Sequence, residues 1–371
     1  MDEYHIEGGF PVKGTIKASG NKNAALPCIA AAVLTDQPVT LKNLPEIEDV
    51  FVMFKIFESF GGTIVKTAQN EYTLQLKTVT GYEVPAPLAQ KIRASILFAG
   101  PLLARHGKVM MTPPGGDVIG RRRLDTHFLA LTELGAQVKI NGHFLFTANK
   151  LIGQDIFLDE ASVTATENAV MAAVAAEGET IITNAASEPH IQDLCKLLNV
   201  MGAKISGIGS NILTIQGVPQ LHGAEYRIGA DYMEVGSFIG LAAVTHGSLT
   251  ITDINPSDMR PIKLAFNKLG IRWEIDGTNL TVPAQQSLKV NCDLGNSTPK
   301  IDDAPWPGFP PDLTSIMTVV ATQVKGTVLI HEKMFESRMF FVDKLIGMGA
   351  RITLCDPHRA VVTGPSTLHG S

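Results

Sequence analysis

Polar and charged side chains in this sequence collect just ahead of apolar, alanine-rich stretches of helical length. The segments SGNKNAA, QKIRAS, SVTATEN, GADYMEVG and GFPPDLTS supply Lys22, Asn23, Arg93, Ser162, Thr164, Asp231, Glu234 and Asp312. The first turn of a helix carries unpaired N–H groups and the positive end of the helix dipole, so it attracts phosphates and carboxylates. The pattern therefore predicts a surface that binds small anions.

These polar residues have an alternative interpretation as ordinary N-caps, which Ser, Thr, Asp and Asn commonly form. Capping explains the serines and threonines well. It does not explain Lys22 and Arg93, because a cation at a helix N-terminus opposes the dipole and normally lowers stability. We therefore expect those two side chains to face an anion.

A second concentration of charge is the segment MTPPGGDVIGRRRLDTHF, whose glycines give residues 111–125 the backbone freedom of a lid. Three consecutive arginines follow Asp117 closely. A run of arginines is usually a solvated surface, so we expect only one of them, Arg122, to reach a ligand.

Asp312 follows a proline-rich approach, DDAPWPGFPPD. Proline restricts the backbone, so the four prolines of this segment fix the direction of the carboxylate. The alternative interpretation is a rigid surface turn in which Asp312 is an N-cap.

The elements that position these residues repeat along the chain. A short glycine-containing motif recurs roughly every 70 residues, as FGGTI at 60–64, LGAQV at 134–138, MGAKI at 201–205, LGIRW at 269–273 and MGARI at 348–352. Each copy follows a helix, a β-like run and a second helix, which is a βαβ-type unit. We expect the glycine to end the second helix in a left-handed conformation, the first helix to be buried, and the second to lie outside.

The spacing of the units predicts an α/β protein of two domains. Residues 22–229 hold three units and the lid, and 1–21 with 230–371 form a second domain of two units. The segment EYRIGADYMEVG is expected to cross between them. No Ser- or Gly-rich linker separates the halves, so we expect two domains that hinge across a cleft.

Bulk properties exclude several classes of function. The formal charge of -5 gives no global basic field for nucleic acid. Four scattered cysteines lack the spacing of a zinc site, and we expect each to be a small buried residue in a reducing compartment. Neither a secretory signal nor an apolar stretch long enough to insert into a membrane is evident, so the sequence indicates a cytoplasmic protein.

Six ordered blocks of the sequence resemble the enolpyruvyl transferase family, and within it the branch that acts on UDP-N-acetylglucosamine. The blocks are SGNKNAALP, PPGGDVIGRRRLD, ASVTATENAVMAA, SEPHIQDL, GFPPDLTS and MFESRMFFVDKL. The resemblance runs from the first residue to the last. Relatives that act on shikimate 3-phosphate differ in the first block, where they carry a GDKS-type sequence.

The resemblance implies two similar domains, each an inside-out α/β barrel of repeated units, and a reaction without metal or organic cofactor. It implies that Lys22 and Arg122 hold phosphoenolpyruvate, with Arg93 close by. Contacts to UDP-N-acetylglucosamine would come from Asn23, Ser162, Val163, Thr164 and Asp312, with Arg338 in the other domain. The family reaction adds the 3'-hydroxyl of the sugar to C2 of phosphoenolpyruvate and a proton to C3, and then expels phosphate.

The chemistry of the residues agrees with that reaction. A sugar hydroxyl is a weak nucleophile, and a carboxylate that accepts its proton raises the rate by ~10²- to 10⁴-fold, so Asp312 is the expected general base. Two anionic substrates repel one another, and Lys22 with the arginines would screen that repulsion and stabilise charge on the leaving phosphate.

The sequence departs from the family pattern in the lid. Most members carry a cysteine where this chain has Asp117. A carboxylate can donate a proton but does not form the thioether adducts of a thiolate. We expect Asp117 to act as an acid or to position the lid, and we expect fosfomycin, which alkylates the lid thiol in this family, to leave the enzyme active.

A second departure concerns length, because the family ordinarily has six units and the sequence ends after five. The chain is interpreted as a truncated form, with a natural five-unit relative as the alternative. Other functions kept open are enolpyruvyl transfer to shikimate 3-phosphate or a nucleotide, and a non-catalytic protein that binds a sugar nucleotide. The oligomeric state is left open.

Overall fold

The computed structural model describes residues 5–116, 120 and 123–370. Asp117 and Arg122, two of the predicted site residues, lie outside these described residues. Their predicted roles therefore rest on the sequence.

The chain forms two compact units, each with its own hydrophobic core. Among the described residues, the first unit contains 19–116 and 123–229. The second unit contains 5–18, 120 and 230–370. The N-terminal strand thus belongs with the C-terminal part of the chain.

The helices lie between short strands along the whole described chain. The α-helices are α1 (Lys22–Ala31), α2 (Glu48–Ser59), α3 (Ala86–Ala89), α4 (Ala99–His106), α5 (Asp125–Glu133), α6 (Val163–Ala173), α7 (Pro189–Val200), α8 (Tyr232–Val244), α9 (Met259–Lys268), α10 (Thr314–Ala321) and α11 (Val342–Gly347). Short 3-10 helices cover Ala32–Leu34, Arg93–Phe98, Pro256–Asp258, Leu294–Asn296, Pro311–Leu313 and Arg338–Phe341.

The strands are short and alternate in burial where one face covers a core. They are β1 (Lys13–Lys17), β2 (Val39–Lys42), β3 (Thr63–Ala68), β4 (Glu71–Gln75), β5 (Lys108–Met111), β6 (Gln137–Ile140), β7 (Phe144–Thr147), β8 (Asp155–Phe157), β9 (Glu179–Thr183), β10 (Lys204–Ser206), β11 (Ile212–Gln216), β12 (Ala224–Arg227), β13 (Ser248–Thr252), β14 (Glu274–Asp276), β15 (Asn279–Val282), β16 (Lys300–Asp302), β17 (Gly326–His331), β18 (Ile352–Asp356) and β19 (Arg359–Gly364).

The sheets repeat one topology. The first unit holds the orders β12-β2-β4-β3, β5-β7-β6 and β10-β11-β9-β8, and the second holds β1-β13-β15-β14 and β16-β17-β19-β18. Each four-stranded sheet has one parallel outer pair followed by two antiparallel pairs. In the three-stranded sheet, a parallel bridge between Glu83 and Met110 takes the place of the outer pair. The α/β fold of repeated units is confirmed.

The recurring glycine ends a helix in every copy of the motif. Its φ is positive at Gly61, Gly135, Gly202, Gly270 and Gly349. In each case the glycine N–H donates to the carbonyl three residues earlier, and the next N–H donates to the carbonyl five residues before itself. These paired bonds form a Schellman motif, which satisfies the last carbonyls of the helix. The predicted left-handed cap is confirmed.

Burial of the first helix of the repeat is most complete in the first unit. In α1 every residue from Ala24 to Ala31 is buried, and in α6 every residue from Ala165 to Ala173 is buried. The corresponding helix of the second unit, α8, leaves Leu241 exposed. The expectation of a helix buried on all sides therefore holds for α1 and α6 but is wrong for one face of α8.

A buried polar network joins α4, α5 and α6 in the first unit. His127 Nδ1 lies 2.9 Å from Nδ2 of Asn168, and its Nε2 lies 3.1 Å from Oγ1 of Thr164. Because the amide nitrogen of Asn168 donates, Nδ1 accepts and the proton is on Nε2, which donates to Thr164. Asn168 also donates to the carbonyl of Ile96 and accepts from the N–H of Gly100, at 2.9 and 2.8 Å.

A close approach of backbones accompanies this network. A side chain at Gly100 would place its Cβ 2.5 Å from the carbonyl oxygen of Asn168. Only glycine fits there, so α4 and α6 lie in contact at that point.

The cysteines divide into two kinds. Cys28 and Cys195 are buried, as expected, and burial raises the pKa of both thiols. The expectation is wrong for Cys292 and Cys355, which are exposed. Throughout the described ranges, each helix is too short or too polar to cross a bilayer, and no cluster of three acidic, His or Cys side chains is arranged to hold a metal.

The His127 network predicts a pH dependence of stability. Burial, followed by the positive charge of Arg93, lowers the pKa of His127 to about 3 from the ordinary value of 6.5. Between those pH values the unfolded chain binds a proton that the folded chain does not. The stability associated with the neutral imidazole is therefore complete above pH 6.5 and is lost as the pH falls toward 3. The free energy of unfolding can be measured with urea at pH 7 and at pH 4.5. Between these pH values it should fall by about 3 kcal/mol less in His127→Gln than in the parent chain.

The matched control is His222→Gln, which changes an exposed histidine of the same unit. It should keep the pH dependence of the parent chain. Equal losses in the parent chain and in His127→Gln would contradict the assignment of a neutral buried imidazole.

Candidate active site

Lys22 and Asn23 occupy the first two positions of α1. The side chain of Asn21 caps this helix, since its Oδ1 accepts from the N–H of Ala24 at 3.1 Å. Lys22 Nζ lies 3.4 Å from Asp49 Oδ2, and the side chains are 45% and 36% exposed. Lys22 thus has a carboxylate as its counter-charge in the structure, and an incoming anion would compete with Asp49.

Arg93 opens the 3-10 helix Arg93–Phe98, and its Nη2 donates to the carbonyl of Arg123 at 3.0 Å. Gly116, in the segment predicted to be a lid, lies against it: at φ +105°, it would place a Cβ 3.0 Å from the Cβ of Arg93. Arg123 binds Asp125 through Nε and Nη2, at 2.6 and 2.8 Å. One of the three consecutive arginines is therefore occupied by a neighbouring carboxylate.

The start of α6 presents Ser162, Val163 and Thr164, all partly exposed. Ser162 is the N-cap, and its Oγ accepts from the N–H of Ala165 at 3.4 Å. Val163 packs against the core of the first unit. Thr164 accepts a hydrogen bond from His127, so it can donate its own hydroxyl proton to a ligand. The capping interpretation of Ser162 is confirmed.

The first-unit residues belong to elements that contact one another. Both α1 and α6 contact the 3-10 helix Arg93–Phe98. The positive charge of Arg93 lowers the pKa of His127, and His127 is hydrogen-bonded to Thr164. Arg93, His127 and Thr164 are therefore linked, and the helix that begins with Lys22 contacts the 3-10 helix that begins with Arg93.

In the second unit, Asp312 and Arg338 form an ion pair. Arg338 Nη2 lies 2.8 Å from Asp312 Oδ1, and the two side chains are 16% and 45% exposed. Asp312 lies in the 3-10 helix before α10, and α10 has no side-chain cap. The capping alternative for Asp312 is therefore wrong. By contrast Asp231 does cap α8, through the N–H groups of Met233 and Glu234.

Two buried carboxyls, of Glu332 and Asp303, bind the backbone of the segment that precedes Arg338. Glu332 is fully buried, with its Oε2 3.8 Å from Arg338 Nε, and its Oε1 accepts from the N–H of Phe335 at 3.2 Å. Asp303 accepts from the N–H groups of the two residues after Glu332. Burial raises the pKa of Glu332, the neighbouring Asp303 raises it further, and Arg338 opposes the shift. These carboxyls fix the turn that leads to Arg338.

Sequence reasoning missed Asn21, His127, Glu332 and Asp303. Asn21 carried a usable signal, since an asparagine just before an apolar helix is a favoured N-cap. His127 carried none, because a single histidine after three arginines has no distinctive spacing. The two carboxyls meet only through the packing of β16 beside β17.

Known proteins resemble this chain along nearly its whole length. The sequence model of EPSP synthase (3-phosphoshikimate 1-carboxyvinyltransferase) matches residues 6–371. A UDP-N-acetylglucosamine 1-carboxyvinyltransferase from Treponema denticola is 74% identical over 371 residues, covering 100% of this chain and 87% of the relative. One of the same name from Treponema pallidum is 68% identical with the same coverage.

A solved structure has a similar fold. The crystal structure of the enolpyruvyl transferase NikO from Streptomyces tendae superposes with a TM-score of 0.85 at 22% identity, covering 98% of this chain and 85% of that one. At that identity the likeness concerns the fold. With the family model matched along residues 6–371 and relatives at 68–74% identity, the chain belongs to the EPSP synthase family of carboxyvinyltransferases.

Proposed function

We propose that this protein transfers the enolpyruvyl group of phosphoenolpyruvate to the 3'-hydroxyl of UDP-N-acetylglucosamine, with release of phosphate. The observation that carries the proposal is 74% identity, over the whole chain, to a protein named for that reaction. The reaction would be the first committed step of peptidoglycan synthesis. The protein would then act in the cytoplasm and serve cell-wall biogenesis, cell shape and division.

The reaction needs a base, an acid and a basic surface. The hydroxyl loses its proton as its oxygen bonds to C2, and C3 gains a proton. The tetrahedral intermediate then loses phosphate from C2 and a proton from C3, which restores the enol double bond. No oxidant, reductant or cofactor enters this balance.

Asp312 is the proposed general base. Arg338 engages its Oδ1, so Oδ2 can face the sugar hydroxyl. Because the carboxylate is nearly half exposed, substrate can reach it. The turn held by Glu332 and Asp303 keeps Arg338, and through it the carboxylate, in one orientation.

The first unit supplies the proposed anion sites. Lys22 and Arg122 would hold phosphoenolpyruvate, with Arg93 beside them. Lys22 is half exposed and its pairing with Asp49 is a surface ion pair, which is worth only about 0–1 kcal/mol. A phosphate with two charges can therefore displace Asp49. The sugar nucleotide would contact Asn23 and the first turn of α6, at Ser162, Val163 and Thr164.

Phosphate release on mixing phosphoenolpyruvate with UDP-N-acetylglucosamine tests the activity. Asp312→Asn should lower kcat by ~10²- to 10⁴-fold, because the amide cannot accept the hydroxyl proton. Asp343→Asn is the matched control, since it changes an exposed carboxylate on α11 of the same unit and should leave kcat unchanged.

Other outcomes would select other functions. Release only with shikimate 3-phosphate or a nucleotide as acceptor would replace the proposed acceptor. Binding of UDP-N-acetylglucosamine without release would indicate a non-catalytic sugar-nucleotide protein. Full activity of Asp312→Asn would remove Asp312 from the base role.

Asp117 gives a prediction about inhibition, in its proposed role as proton donor or lid residue. Fosfomycin should cause no time-dependent loss of activity, because a carboxylate does not form the adduct of a thiolate. Asp117→Cys should become sensitive and gain the mass of one inhibitor in intact-mass spectrometry. Covalent modification of the parent chain at Asp117 would refute the prediction.

A further inference from the structure

A half-buried carboxylate on α7 binds the chain where the first unit ends. Asp193 Oδ1 accepts from the hydroxyl of Tyr226 at 2.9 Å, and Oδ2 accepts from the N–H of Gly229 at 2.9 Å. Gly229 is the last residue of the first unit. Burial raises the pKa of Asp193, while the two donors favour its charged form.

This contact continues to the start of α1. The carbonyl of Gly229 accepts from the N–H of Asn21 at 2.8 Å. Asn21 is 2% exposed and caps α1 through Ala24. A chain of hydrogen bonds therefore runs from Asp193 through Gly229 and Asn21 to the first turn of α1.

Close packing leaves little freedom in this chain. A Cβ at Gly229 would lie 2.8 Å from Asp193 Oδ2, and one at Gly20 would lie 1.7 Å from the carbonyl oxygen of Asn43. Asn43 in turn donates from Nδ2 to the carbonyl of Ile228 at 3.0 Å. The backbone on both sides of the Asn21–Gly229 bond is thus held by the same unit.

Contacts within α1 alone do not fix its end. Its remaining residues are apolar, and apolar contacts have no directional preference. Hydrogen bonds are directional, so the bond to Gly229 sets both the axial position and the rotation of the first turn. That turn carries Lys22 and Asn23.

We propose that Asp193 is a positioning residue for substrate binding, which places Lys22 and Asn23 by fixing Gly229 against Asn21. This inference rests on the proposed function, in which Lys22 holds phosphoenolpyruvate. Asp193 itself contacts no substrate. Even a small displacement of the Lys22 ammonium group would weaken its charge-assisted hydrogen bond to the phosphate.

Steady-state kinetics of three variants tests this role. Asp193→Ala should raise KM for phosphoenolpyruvate ~10-fold, with kcat changed by less than about threefold, because the loss is in binding geometry. Asp193→Asn should restore most of the loss, since its amide oxygen can still accept from Gly229. Asp155→Ala, an exposed aspartate of the same unit, should leave both constants unchanged.

A double substitution separates positioning from general destabilisation. Gly229→Ala should raise KM for phosphoenolpyruvate in the parent chain, because its methyl group meets the Asp193 carboxylate. In the Asp193→Ala background the same change should add little, because the colliding atoms are absent. Additive effects of the two substitutions would overturn the inference.

Thermal unfolding of each variant completes the test. An Asp193→Ala chain with a lower Tm and an unchanged KM would mean that Asp193 only stabilises the fold, and would overturn the inference. If Asp193→Ala does not fold, Asp193→Asn and Gly229→Ala decide, and an unchanged KM in Gly229→Ala would be equally contrary. Absence of phosphate release by the parent chain would instead overturn the proposed function.

Discussion

Burial of α1 and α6 on every side is the constraint on which the candidate site depends. A helix surrounded by a core satisfies its own interior backbone, and a polar side chain within it needs a buried partner, as Asn168 of α6 has. Polar groups that a ligand can reach then lie at its ends, where the first N–H groups lack partners within the helix. Lys22, Asn23 and the segment 162–164 stand at those ends. The site is therefore a consequence of how the core is built.

Each of these helix ends is held by a polar group from another element. Asn21 caps α1 and is tied to Gly229, and His127 binds Thr164 at the start of α6. Asn21 and His127 are buried, and a buried polar group without a partner costs about 1–3 kcal/mol. These hydrogen bonds therefore specify the position of each helix end more strongly than apolar packing would.

The sequence contained the repeat, because its period appears in local patterns. The Schellman glycines and the cap at Asp231 follow from neighbouring residues alone. Asn168 as the partner of His127 and Asp303 as the neighbour of Glu332 do not, because each lies tens of residues away in the chain and the two meet only after sheets and helices pack. Lys22 shows the same limit: its sequence position indicated an anion, but Asp49 is on the next helix.

An ion pair in each unit involves a predicted site residue, and the two pairs differ in exposure. The Lys22–Asp49 pair is half exposed, so water can replace either partner at a cost of about 1 kcal/mol or less. The side chain of Arg338 is largely covered and faces the buried Glu332. Breaking its ion pair with Asp312 would therefore leave the positive charge of Arg338 largely out of contact with water, which is unfavourable. Lys22 is thus suited to exchange its partner for a substrate anion, whereas Arg338 is suited to hold Asp312 throughout the reaction.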